Sequence, residues 1–187
     1  MRSTSCVPAG LLTRMVTMGI VAACLMSPAF AHGPTPKKID ETIAIAAAPD
    51  AVWKKLADFG AISTWHPDIS ASQADKGNAV GSVRGLTFKG GKITESLDEY
   101  DAANRSYSYR MDQENVDALP VSSYSATIAV KPVGQGSEVS WSGRFYRGDT
   151  NNEPPENLND EAAIKAMDAF FKHGLAGLKN VSEGKAK

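Results

Sequence analysis

Cysteine is nearly missing from this chain: among 187 residues only Cys6 and Cys24 carry a thiol, and both fall in the first 31. From His32 onward there is no disulfide, thiol nucleophile, Cys-x-x-Cys-His haem attachment or cysteine zinc site. Long apolar runs are equally scarce. Met15–Phe30 has about 16 residues, short of the roughly 20 a transmembrane helix needs, and no second run follows. Excess positive charge is lacking as well. The formal net charge is −1, which argues against a nucleic-acid partner and against a polybasic membrane surface. There is no glycine-rich phosphate loop, Gly-x-Ser-x-Gly elbow or His-Glu-x-x-His helix. The chain has no evident means of carrying electrons by itself.

Residues 1–31 read as an export signal. Arg2 and Arg14 supply charge, the run to Phe30 is apolar, and Ala29-Phe30-Ala31 is a small-x-small cleavage site. The alternative is Val21-Ala22-Ala23-Cys24 as a lipoprotein box with an acylated Cys24. Leu25, Met26, Ala29 and Phe30 keep the following stretch apolar, where an anchored lipoprotein continues as a polar tether. Cleavage after Ala31 removes both arginines and leaves 18 basic against 21 acidic residues. The remainder, about 155 residues, suits one domain able to bury a core without staples.

Residues 32–37, with Pro34 and Pro36, read as an extended leader, and residues 38–182 as the domain. Ile39 to Ala47 reads as a strand. Pro49 is pre-set for a first helical turn, Val52, Trp53, Leu56 and Phe59 recur at helical spacing, and Gly60 ends that helix. A second short helix spans about Ala61 to Trp65 and stops at Pro67. Val80–Phe88 and Lys92–Tyr100 flank Gly90-Gly91, a hairpin signal because both central residues accept positive φ. That turn sets 88 opposite 93, 86 opposite 95 and 84 opposite 97. Arg84, Leu86, Phe88, Ile93, Glu95 and Leu97 then share one face. Further strands follow at Asn104–Gln113, Val121–Val133 and Ser137–Tyr146, the last two joined by Gly134-Gln135-Gly136. Gly148 to Asn159 is a loop, Asn159 or Asp160 caps the last helix, and its apolar face is Ile164, Met167, Phe171, Leu175 and Leu178, with Gly174 on the same side. Residues 183–187 read as a frayed, disordered tail.

This order resembles the START/Bet v 1-like helix-grip superfamily over about residues 38–181. The likeness is carried by Ala48-Pro49, Val52-Trp53, Phe59, Arg84-Gly85-Leu86, Gly91-Lys92-Ile93-Thr94-Glu95, Tyr100-Asp101, Leu119-Pro120-Val121, Tyr124 and Trp141-Ser142-Gly143-Arg144-Phe145. These residues are similar to the polyketide cyclase/dehydrase-like branch, which includes hydrophobic-ligand carriers and cyclases. The resemblance implies an α+β fold: a curved antiparallel sheet of about seven strands around a long C-terminal helix, with two short helices after the first strand. The start His32-Gly33-Pro34-Thr35-Pro36-Lys37-Lys38 and the turn Trp65-His66-Pro67 resemble the MxaD family, periplasmic accessory proteins of bacterial methanol oxidation. That narrower likeness implies a non-catalytic role, without a cofactor, at the contact between methanol dehydrogenase and its cytochrome c. A periplasmic carrier of hydrophobic small molecules is the alternative, and a cyclase- or dehydratase-like enzyme the third reading.

In such a fold the sheet's inner wall and any cavity wall are one surface. Candidate cavity residues are therefore Trp65, His66, Arg84, Leu86, Glu95, Leu97, Tyr107, Tyr109, Tyr124, Trp141, Phe145, Met167, Phe171 and Gly174. Arg84 and Glu95 either neutralise one another, orient a polar ligand group, or act as acid and base. His66 is either an imidazole tied to backbone where the second helix stops, or a general base or metal ligand. His32 as an amino terminus can chelate copper but has only His66 and His173 to recruit, so no metal is assigned. Gly174 either leaves room for a ligand or admits a large neighbour. The loop residues Asp149, Glu153 and Glu156, followed by Asp160 and Glu161, are either a solvated edge with favourable charge at a helix start or a docking edge for a lysine-rich partner.

Overall fold

A proline-started helix directly after an edge strand sets the architecture. The structure, a computed structural model, describes residues 33–187. The export-signal, lipoprotein and His32 readings lie outside those residues. The element order is β1 (Lys37–Ile45), α1 (Pro49–Leu56), a 3-10 helix (Phe59–Thr64), β2 (Ala71–Ala74), β3 (Val83–Phe88), β4 (Gly91–Asp101), β5 (Ser106–Gln113), β6 (Val121–Val133), β7 (Gly136–Arg147), a short 3-10 turn (Glu156–Leu158) and α2 (Asp160–Ser182). All pairings are antiparallel, and the seven strands lie in the order β1-β7-β6-β5-β4-β3-β2. The sheet curves around α2, which packs against β1 and β7. This is the helix-grip fold.

Alternation along the strands buries one face. On β5 to β7 the inward rows are Tyr107, Tyr109 and Met111; Tyr124, Ala126, Ile128 and Val130; and Val139, Trp141 and Phe145. Each large apolar side chain so placed contributes about 1.5–3 kcal/mol of burial. On β4 the alternation fails. Register shifts after Thr94 and after Leu97 bend the strand and bury Glu95, Ser96 and Leu97 in succession.

Four local expectations need correction. The β3–β4 register is two residues shorter than expected: Arg84 faces Glu95, Leu86 faces Ile93 and Phe88 faces Gly91. The turn residues are thus Lys89 and Gly90, with Gly91 at φ 139. A slip of two preserves parity, so the six expected residues still share the inner face. α1 ends at Leu56, and Phe59 opens the 3-10 helix, where the Asp58 carboxylate accepts the Gly60 N–H. β2 has no sequence counterpart among the expected strands. On α2, Asn159 is the cap, accepting the Ala162 N–H at 2.9 Å. Ile164 is 46% exposed there, and Phe170 takes an inward position. Beyond α2, Glu183 accepts the Ala46 N–H and the Lys187 ammonium donates to the Ser63 carbonyl.

Candidate functional site

The bulged segment of β4 swings Glu95 inward against β3. There Arg84 Nε donates to Glu95 Oε2 and Arg84 Nη1 donates to the Phe59 carbonyl at 2.8 Å. The Tyr124 hydroxyl donates to Glu95 Oε1. The guanidinium lies between the Phe59 and Tyr109 rings, its central carbon 4.1 and 4.7 Å from their centroids. Both charged side chains are fully buried. Burial pulls the Arg84 proton affinity down, but Glu95 and the neighbouring Tyr107 and Tyr109 more than reverse this and hold it above its ordinary range. Burial pushes the Glu95 carboxyl up, and Arg84 opposes that rise. Two bonded donors and the facing cation keep the carboxylate as an acceptor. The Trp141 indole donates to the Tyr109 hydroxyl at 2.9 Å, extending the network. The buried Arg84 Nη2 and Trp65 Nε1 have no hydrogen-bond partner.

His66 closes the 3-10 segment from below α2. Its Nε2–H donates to the Phe170 carbonyl at 2.9 Å, and its Nδ1 accepts the Asp68 N–H at 3.2 Å. Burial lowers its pKa to about 4, against smaller opposing contributions from Asp68 and the Phe170 carbonyl. Both ring nitrogens are thus engaged by backbone. The ring stacks on Phe170 with centroids 4.3 Å apart. Gly174 admits it: a Cβ there would fall 2.6 Å from both the imidazole and the Trp141 ring. Trp141 in turn stacks on Phe171 at 4.3 Å.

The remaining singled-out residues, Leu86, Leu97, Tyr107, Phe145 and Met167, are buried in the same core. The structure therefore brings the cavity candidates together in one packed core, with the Tyr109 ring and Tyr124 hydroxyl against the Arg84–Glu95 pair and His66, Trp141 and Phe171 in the stack beside α2. Asp149, Glu153 and Glu156 lie on the loop before α2, with Glu153 and Glu156 exposed. Arg147 fastens this loop by donating to the Asp149 and Asn151 carbonyls, each at 2.7 Å. Asp160 is paired with Lys37 at 2.8 Å.

A groove of about 820 Å³ opens beside this core. Its apolar wall is Phe88, Leu119 and Phe170 with Ala118, Ala166 and Ala169; Pro67, Asp68, Ser70, Lys89, Gly90 and Asp117 complete it. The β3–β4 turn meets the loop before β6 here without spare room, since a Cβ on Gly90 would lie 1.9 Å from the Asp117 carbonyl oxygen. None of the sequence-selected cavity residues lines this groove. Phe170 falls three residues after Met167 and four before Gly174, a helical spacing that fits an inward row as well as that of Ile164 does. The loop residues 117–119 carried no periodic signal.

A curved sheet gripping one long helix, with a partly apolar groove at one end, defines a helix-grip protein of the ligand-binding type. The chain belongs to the polyketide cyclase / dehydrase and lipid transport family, whose model matches residues 36–183. Among curated proteins none matches it. Among solved structures it is similar to the protein XoxI from Bacillus cereus, at 28% identity over 78% of this chain and 95% of that one, with a TM-score of 0.64. An uncharacterized protein from Bacillus thuringiensis is 26% identical over 79% of this chain and 99% of that one, also with a TM-score of 0.64. An aromatase/cyclase from a Streptomyces species shares the fold at 18% identity, covering 80% and 94% of the two chains with a TM-score of 0.62.

Proposed function

We propose that the protein is an exported, periplasmic binding or carrier protein for a hydrophobic small molecule, held in the groove between α2 and the β3–β4 hairpin. The observation that carries the reading is the groove itself. Its volume of about 820 Å³ lies within the roughly 300–1,000 Å³ of small-molecule sites, and aromatic and aliphatic side chains form one part of its wall beside Asp68, Ser70, Lys89 and Asp117. The family's inclusion of lipid transport supports the same reading. Binding is favoured over a cyclase- or dehydratase-like reaction because the buried titratable groups of the core are engaged by partners within it. Both His66 nitrogens hold backbone groups, and Arg84 and Glu95 hold each other. A histidine bonded at both ring nitrogens and a carboxylate held by an arginine and a tyrosine are poor proton shuttles.

Native mass spectrometry of protein purified from its own host is expected to show a retained small molecule. Filling the groove with Ala169→Trp is expected to lower the affinity for the apolar dye Nile red by about tenfold or more with the fold intact. Protein that retains no compound and binds no apolar probe would overturn the reading.

A second reading follows the MxaD resemblance and the similarity to XoxI: contact with methanol dehydrogenase or its cytochrome c. The exposed Glu153 and Glu156, on a loop held in shape by Arg147, suit a lysine-rich partner. Such steering raises association rates at low salt and fades as salt screens it. Methanol-dependent cytochrome reduction that is unchanged by this protein at low salt would reject it.

A further inference from the structure

The convex face of the sheet carries two like charges in direct opposition. Arg144 on β7 is the register partner of Lys38 on β1, and both side chains are exposed. Like charges directly opposite in a sheet are destabilising, so folding alone does not account for this pair. Asp40 takes the Lys38 ammonium at 2.7 Å, and Asp98 takes the next cation in the row, Arg110. Asp40 stands diagonal to Arg144 without pairing with it. Among the described residues Arg144 makes no ion pair and no side-chain hydrogen bond.

Small hydroxyls surround this guanidinium. Ser125 on β6 faces Arg144, and Ser142 precedes it by two residues on the same face. One row on, Ser142, Thr127 and Ser108 lie abreast on β7, β6 and β5. These residues line a shallow trough of about 360 Å³ that has Lys38 and Arg144 on one side and Asp98 on the other. Three strand spacings of about 4.8 Å lie between β7 and β4, which sets the cation and the carboxylate roughly 14 Å apart.

An unengaged guanidinium beside an ammonium and hydroxyls is a donor set for a tetrahedral oxyanion. The rest of the face decides what that oxyanion is attached to. Asp98, Glu99 and Asp101 follow along β4, with Glu99 and Asp101 exposed. Such a carboxylate border repels a polyanion or an anionic lipid surface. Hydroxyl side chains between the two ends can both donate to and accept from the hydroxyls of a sugar. We propose that the convex face is a second binding site, for a small phosphorylated sugar. Arg144 holds the phosphate through its fork beside Lys38 and Ser125, and Thr127 and Ser108 meet the sugar hydroxyls. The trough shares no lining residue with the groove, so the site stands independently of the binding-protein reading above.

The test follows the backbone amide resonances of β5–β7 in isotope-labelled protein at constant ionic strength. The probes are glucose 6-phosphate, glucose, inorganic phosphate, sodium chloride and phosphatidylglycerol vesicles. Glucose 6-phosphate is expected to shift Ser125, Ser142 and Arg144 saturably and to bind about tenfold tighter than inorganic phosphate, the advantage of added hydrogen bonds. Arg144→Lys keeps the charge but loses the fork, and is expected to bind about tenfold more weakly. Arg144→Ser removes the opposed charge and is expected to melt no lower than the parent without ligand. Glucose 6-phosphate should then raise the melting midpoint of the parent and leave that of Arg144→Ser unmoved. Shifts no larger than those from chloride, equal affinity for inorganic phosphate, undiminished binding by Arg144→Lys, or preference for the vesicles would each overturn the proposal. So would a lower midpoint for ligand-free Arg144→Ser, which would make Arg144 a structural residue.

Discussion

The imidazole of His66 occupies the space that a side chain at Gly174 would need. A Cβ built on Gly174 falls 2.6 Å from His66 Cδ2, far inside the 3.5–4.0 Å of a favourable carbon contact. One turn on, a Cβ at Gly177 would fall 2.1 Å from the Trp65 carbonyl oxygen. These two glycines let the end of the 3-10 segment press against α2.

Gly174→Ala is therefore expected to destabilise by about 1–3 kcal/mol, as overpacking does, reversing the gain of about 1 kcal/mol that alanine brings to an open helix. Gly177→Ala is expected to cost more, because its obstacle is backbone. Denaturant midpoints at unchanged m-value measure both. Stabilisation by either change would show that the helix does not sit this close.

His66 makes stability depend on pH. Its pKa is near 4 when folded and ordinarily 6.5, so between those values the unfolded chain binds a proton that the folded one does not. The contribution is fully present above about pH 6.5, declines as pH falls, and is gone below about pH 4. Its full size is on the order of 3 kcal/mol. His66→Gln is expected to flatten the difference between pH 4 and 6.5. A variant with the parent's slope would assign that slope to other groups.

Arg84 and Glu95 are expected to behave as one unit. Arg84→Met and Glu95→Leu alone each leave a buried charge without its partner and should cost about 3–5 kcal/mol, whereas the double change should recover most of that loss. A double-mutant cycle by chemical denaturation measures the coupling. Simple additivity would mean the two charges are independently solvated.

Gly90→Ala places a methyl 1.9 Å from the Asp117 carbonyl oxygen, forcing apart two segments of the groove wall. It is expected to cost about 1–3 kcal/mol and to weaken Nile red binding. Gly85→Ala, whose Cβ meets nothing within 4 Å, serves as the control and should change neither. Equal effects of the two substitutions would mean that the Gly90–Asp117 approach plays no part.

Much of this was legible in the chain. Pro49 announced α1, the alternation of β6 and β7 announced their inner rows, and the helical spacing of Met167, Phe171, Leu175 and Leu178 announced the gripped helix. The Arg84–Glu95 pairing was available as one of three readings, since parity put both on one face even with the register two residues off. β2, Ala-Ser-Gln-Ala, has no β-branched or aromatic residue to mark it. Periodicity alone could not choose Phe170 over Ile164.

The sequence by itself determined the order of the elements other than β2 and which side of the regularly alternating strands turns inward, because backbone period and side-chain polarity act over a few neighbouring residues. Tertiary structure alone decided that the aromatic wall packs against Arg84, that Gly174 admits a ring, and where the groove lies. The groove joins Phe88, Leu119 and Phe170, three residues far apart in the chain, and local pattern carries no information about which distant segments come to share a wall.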